Sequence, residues 1–236
     1  MLFRSLGLVE VPPVRATVDA TEIGELNPNI RALVAYNTDS KVINTLRSNG
    51  ILLAEVYPGG NLMAGSSSVV QLDAWNWEDA VYAADHAIHL TLPSLLARPS
   101  GRGYYTAANS SPGDAVKRAY EQIEKLKLFF REAQAYIRQG SAPVQNLKFE
   151  AVRGLFQKKQ KLFVHCEIVK EIQQAIEMAQ EFGFDLVIVG GSESWLVADL
   201  LKQHNIPVLL SQLHELPTLP DDAVDQRYIK IGRAHV

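Results

Sequence analysis

The sequence contains one cysteine, Cys166. A disulfide within the chain is therefore excluded, and so is a zinc site built on several thiolates. Long hydrophobic runs are also missing: the apolar stretches are strand-sized, too short to cross a bilayer as a helix. There is no basic stripe or cluster, so no nucleic-acid partner is expected. No G-x-G-x-x-G, G-x-x-x-x-G-K-[ST] or G-x-S-x-G string occurs. The usual dinucleotide, P-loop and serine-hydrolase fingerprints are thus absent. The start carries no signal-peptide pattern, which leaves the compartment open between cytoplasm and periplasm.

What is present is the composition of an ordinary folded protein. Of 236 residues, 47% are hydrophobic and 21% charged, with a net charge of −3 and the signs interspersed. The length fits one α/β domain.

Both ends look foreign to the rest. Ile231-Gly232-Arg233-Ala234-His235-Val236 reads as a translation of common short-read sequencing-adapter DNA. Met1-Leu2-Phe3-Arg4-Ser5 reads as a translation of the opposite adapter. The expectation is that residues 6–230 are the natural sequence. Residues 1–5 and 231–236 are set aside, and His235 is not counted as a ligand.

Residues 6–36 read as loop-rich, broken by Pro12-Pro13 and Asn27-Pro28-Asn29. A helix is expected over 39–49, started by Asp39 or Ser40 and stopped by Asn49-Gly50. A buried strand follows at 51–56 and stops at Pro58-Gly59-Gly60. The small-residue stretch 60–72 reads as a loop. A helix is expected over 77–84 and a short strand over 88–92, with Trp75 and Trp77 as packing anchors. After a second Gly/Ser/Pro-rich stretch, helices are expected over 113–138 and 146–157. The pattern then becomes regular: strand 162–164, helix 168–182, strand 186–189, helix 193–203, strand 208–210. Short apolar strands alternating with amphipathic helices mean βαβ units on a parallel sheet. The alternation leaves open whether the sheet closes into a barrel or is doubly wound.

In either architecture, sites form at the carboxyl ends of strands. That rule selects Gly60 and Asn61 after the first strand, then Asp85, His86 and His89. It also selects His165-Cys166-Glu167, Gly190-Gly191-Ser192-Glu193, and His214 with Glu215. His165 fits a divalent-metal ligand at a strand end, or a buried histidine bonded to a backbone carbonyl. His89 points either into the core or into the mouth. His214 binds substrate or is simply exposed, exposure being the commoner case. Glu167 either backs a histidine ligand or starts the next helix. Cys166 reads as a small buried hydrophobe. Gly190-Gly191 could cradle a phosphate, but a tight turn needing positive φ is the better reading.

These residues resemble a known family. Leu6-Gly7-Leu8-Val9-Glu10, then Asn27-Pro28-Asn29-Ile30-Arg31-Ala32, look like the segment after the first barrel strand of amidohydrolases, especially the imidazolonepropionase-like branch. Residues 49–52, Pro58-Gly59-Gly60-Asn61-Leu62 and Gly65 are similar to that branch's following run. Leu162-Phe163-Val164-His165, Val187-Ile188-Val189-Gly190-Gly191 and Ile206-Pro207-Val208-Leu209 resemble its fifth, sixth and seventh strands.

The resemblance implies a partial TIM-type (β/α) barrel over residues 6–230, with parallel strands, outer helices, and the first and last strands lacking. It implies hydrolysis of a C–N bond in a small substrate by a metal-activated water. The implied cofactor is a divalent metal, zinc, in the full-length protein, with His165 as the fifth-strand ligand. Gly190 stands where that family has its sixth-strand histidine, which is a departure. Gly60, Asn61, His89 and His214 are the expected substrate contacts. The expected partner is a small molecule, with no nucleic acid and no membrane; a homo-oligomer is left open. The rivals are a non-catalytic barrel that binds a ligand, and a doubly wound nucleotide- or sugar-binding domain. In the hydrolase reading, this fragment alone is expected to be inactive.

Overall fold

Strand and helix formation follow where the chain can hide its apolar residues. The computed structural model describes residues 2–3, 6–60, 62–96, 112–140 and 145–210. They fall into two units: Met1–Thr91 with Glu132–Phe163, and Leu92–Arg131 with Val164–Val236.

The first unit is built on β1 (Leu2–Phe3), β2 (Leu53–Val56), β3 (Met63–Gln71) and β4 (Val81–Thr91), hydrogen-bonded in that order. β1 runs parallel to β2, with Leu2 opposite Glu55. β2 and β3 are antiparallel, as are β3 and β4. This corrects the expectation of parallel strands throughout. Only residues 57–62 separate β2 from β3, and only 72–80 separate β3 from β4. A parallel crossover needs about a dozen residues or more, so these connections permit hairpins only.

β3 corrects a second expectation, the loop at 60–72. It is buried along most of its length. Its small residues serve close approach, not disorder. Residues 20–31 run alongside it: the Ser66 amide donates to Ile30 O at 2.7 Å, and the Met63 amide donates to Glu25 O at 2.8 Å. A side chain at Gly65, whose φ is +142°, would meet Ile30 O and Pro58. Glycine and serine are what fit.

The helix expected over 77–84 is likewise replaced, by a turn at 77–80 and the start of β4 at Val81. Trp75 is 93% exposed and anchors nothing, whereas Trp77 packs against the core. That core gathers Leu6, Leu8, Leu33, Ile43, Val56 and Val70. Ser40 precedes α1 (Lys41–Ser48), but its hydroxyl donates to Glu10 Oε2 at 3.1 Å instead of capping the helix. The helix expected over 146–157 is two short ones, α3 (Leu147–Ala151) and α4 (Arg153–Phe156). The side chain of Asn146 caps α3 by accepting from the Lys148 amide.

α2 (Pro112–Gln139) and β5 (Lys161–Cys166) contribute to both units. In the second unit the chain continues through α5 (Val169–Phe182), β6 (Leu186–Gly190), a one-turn 3-10 helix (Ser194–Val197), α6 (Ala198–Gln203) and β7 (Val208–Leu210). β6 and β7 pair in parallel, Ile188 opposite Val208. Here the expected alternation holds. α5 buries Ile172, Ala175, Ile176, Ala179 and Phe182, a spacing of three and four that sets one face inward. Each large side chain so buried contributes roughly 1.5–3 kcal/mol. Gly183, at φ +76°, ends the helix in the left-handed conformation. Phe130 fills the same unit, 5.0 Å from Phe184 and 5.5 Å from Phe182 between ring centres. Among the described residues, no helix is long and apolar enough to cross a membrane.

Candidate functional site

In the first unit, polar side chains gather on β2, β3 and β4. Strand alternation turns Ala54 and Val56 into the core and sends Glu55 to the opposite face. Ser67, fully buried, donates from Oγ to Glu55 Oε1 at 2.7 Å. The same carboxylate oxygen lies 3.1 Å from His86 Nδ1. His89, 2% exposed, is stacked on Tyr57 at 4.2 Å with ring planes 9° apart. Phe163 closes on both histidines, 5.1 Å from His89 and 6.0 Å from His86. Glu55 can therefore orient His86, and aromatic rings fix His89.

The second unit presents the carboxyl ends of β5 and β6. His165 is half-buried on β5, and its backbone carbonyl accepts from the Leu92 amide at 3.1 Å. Cys166 is buried, and burial, followed by the nearby Glu171 and Glu167, pushes its thiol pKa well up. This agrees with an inert, small hydrophobe.

Beyond β6 the turn is fully occupied. Gly190 and Gly191 have φ of +97° and +58°. A Cβ on Gly190 would collide with the Glu167 carboxylate and lie 3.0 Å from Cys166 O. That carboxylate accepts from the Ser192 amide at 3.1 Å and from the Ser192 hydroxyl. The Gly191 amide goes to Cys166 O at 2.8 Å, and the Glu193 amide to Glu167 O at 3.0 Å. A phosphate cradle at Gly190-Gly191 is thereby overturned, since the N–H groups it needs are already donated. The tight-turn reading stands.

Glu167 does not start α5. That role belongs to Glu171, which accepts from the amides of Glu167 at 3.0 Å and Leu95 at 3.1 Å. Glu193 accepts from the Val169 amide at 2.8 Å.

Of the residues expected to bind substrate, His89 is buried among rings and Gly60 is exposed at the end of the turn after β2. Asn61 and His214 lie outside the described residues, as does Glu215. Glu55 and Ser67 were missed. Glu55 could have been found, because a lone carboxylate alternating with Ala54 and Val56 needs a partner on its own face. Among the described residues, no group of three or more His, Cys, Asp or Glu is placed to hold a metal ion.

No protein-family model and no curated protein matches this sequence. Among solved structures, an amidohydrolase from Thermotoga maritima MSB8 superimposes with a TM-score of 0.74 over 91% of this chain, at 21% sequence identity. The chain has an amidohydrolase-like fold. It spans 56% of the length of that protein. The likeness is one of architecture and carries no site residue with it.

Proposed function

We propose that this chain is part of a metal-dependent hydrolase acting on a C–N bond of a small substrate through a metal-activated water, as in the imidazolonepropionase-like branch of amidohydrolases. The observation that supports this reading is the amidohydrolase-like fold, with a histidine, His165, at the carboxyl end of β5. In this reading His165 is one ligand of a divalent metal, zinc, and Gly60, Asn61, His89 and His214 contact the substrate. A hydrolytic zinc needs three protein ligands and an open position. The described residues do not by themselves fit such an ion, so in this reading the remaining ligands come from outside the described residues.

The test is metal analysis of the protein expressed from the complete reading frame, paired with assays on amides, cyclic amides and dipeptides. His165→Ala is expected to lower the metal-to-protein ratio. An unchanged ratio would return His165 to a packing role.

One observation favours a second reading, a ligand-binding barrel without hydrolysis. At Gly190 a glutamate carboxylate fills the space a sixth-strand ligand would need. Full metal loading without hydrolysis of any assayed C–N bond, or no loading at all, would favour the binding protein.

A further inference from the structure

The first unit holds a cavity of about 610 Å³ that the hydrolase reading leaves unused. Its size is within the range of small-molecule sites, roughly 300–1,000 Å³. It opens between the loop at Pro28 to Arg31, the β3–β4 pair and helices α3 and α4.

The wall at β4 is built under strain. Ser67 pairs with Ala87 and Val69 with Ala83, so residues 84–86 bulge opposite Ser68 alone. Asp85 sits in the bulge with φ of +49°, a left-handed conformation uncommon for residues with a side chain and least so for aspartate and asparagine. Four neighbours hold it there. Its amide donates to Ser68 Oγ at the same time as its carbonyl accepts from Gln160 Nε2 at 2.8 Å. Its carboxylate takes a two-pronged contact from Arg31, 2.8 Å at each prong, and a bond from the buried Ser66 hydroxyl. Gln160 reaches Asp85 only because Gly154 has no side chain; a Cβ there would collide with it. Strain that is over-determined in this way, at the wall of a cavity, is what binding sites carry.

The charges in the wall do not balance. Arg31 is matched by Asp85, and Arg153 by Glu150 through two bonds of 2.7 Å. The Arg153 guanidinium, followed by the Tyr136 hydroxyl, holds the Glu150 carboxyl below the usual range. Lys159 also lines the cavity and makes no ion pair with another described residue. Three basic groups against two carboxylates leave one positive charge. The same cavity is lined by the apolar Pro28, Ala84 and Leu147.

The geometry points to a binding site for a small organic monocarboxylate, its carboxylate on Lys159 and its apolar body against Leu147 and Pro28. A dianion such as phosphate overmatches the single excess charge and has no use for the apolar wall. The site does not depend on the hydrolase reading, because none of these residues is His165 or a proposed substrate contact.

Benzoate titrated into the 236-residue chain, followed by amide NMR shifts, tests this. Saturable shifts at Asp85, Arg153, Lys159 and Gln160 are expected. Benzyl alcohol, with the same ring and no charge, and inorganic phosphate should both bind more weakly than benzoate. Lys159→Met should weaken benzoate roughly tenfold, the loss of one charged contact, and Lys159→Arg should restore most of it. Lys159 is exposed, so neither substitution should disturb the fold, which the same spectra verify. Shifts centred elsewhere, equal binding of benzyl alcohol, tighter binding of phosphate, or indifference to Lys159→Met would each overturn the assignment.

Discussion

The carboxylate of Glu167 lies where a side chain on Gly190 would have to go. Gly190 also has φ of +97°, which an L side chain rarely adopts. Gly190→Ala should therefore cost stability twice, through backbone strain and through displacement of Glu167. A loss of about 2–4 kcal/mol is expected by urea unfolding. Glu167→Ala made in the same chain should recover part of it, so the double-mutant cycle should show a coupling of the two sites.

Tyr36 gives a second prediction, in pH. It is 4% exposed, its hydroxyl has no hydrogen-bond partner among the described residues, and burial pushes its pKa up to about 12 from 10.0. The unfolded chain then loses this proton at lower pH than the folded chain does. Stability is fully present below pH 10 and falls as pH rises from about 10 to about 12, by up to roughly 2–3 kcal/mol. Tyr36→Phe should flatten that slope and leave stability at pH 7 equal or higher, because a buried hydroxyl without a partner is removed. Urea midpoints measured at pH 8, 10 and 11 decide it.

Cys166 should resist alkylation. Its thiol is buried and held protonated to well above the ordinary cysteine range, and only the thiolate attacks. Iodoacetamide at pH 8 should leave the native chain unlabelled over hours and modify it fully in 6 M guanidinium, as read by mass spectrometry. Rapid native labelling would mean that the β5 terminus opens.

Asp85 separates strain from pairing. Its ion pair with Arg31 is partly exposed, so the pair alone is worth about 1 kcal/mol or less. Asparagine tolerates the left-handed conformation and alanine does not. Asp85→Ala should therefore be less stable than Asp85→Asn by about 1 kcal/mol in denaturant unfolding. Equal losses would show that the bulge relaxes.

Metal removal should leave the 236-residue chain as it is. With no three-ligand group among the described residues, dialysis against EDTA should not shift the thermal midpoint, and added zinc should bind only weakly. Tight stoichiometric zinc would locate a ligand set that includes residues outside those described.

The second unit was the legible one. Apolar runs at 186–190 and 208–210, with Gly183 closing α5, announce βαβ structure through local signals alone. The first unit was not. Ser66-Ser67-Ser68 has the composition of a loop and the environment of a core, because its hydroxyls find Ile30, Glu55 and the Asp85 amide across long sequence gaps. Strand directions differ for another reason: the later βαβ rhythm extrapolates to parallel pairing, whereas the short connections among β2, β3 and β4 permit only hairpins. His165 was visible as a histidine ending an apolar strand. The Glu55–His86 contact needs the pairing register, which composition does not carry.

Glu171 shows what such long-range bonds demand of the folding chain. One carboxylate collects amides from Glu167 and, 76 positions upstream, from Leu95. The oxygen Oε2 closes the entrance to α5 locally, while Oε1 is left for the distant stretch. The side chain that caps the helix thus also tethers Leu95, so replacing it would loosen two separate places at once.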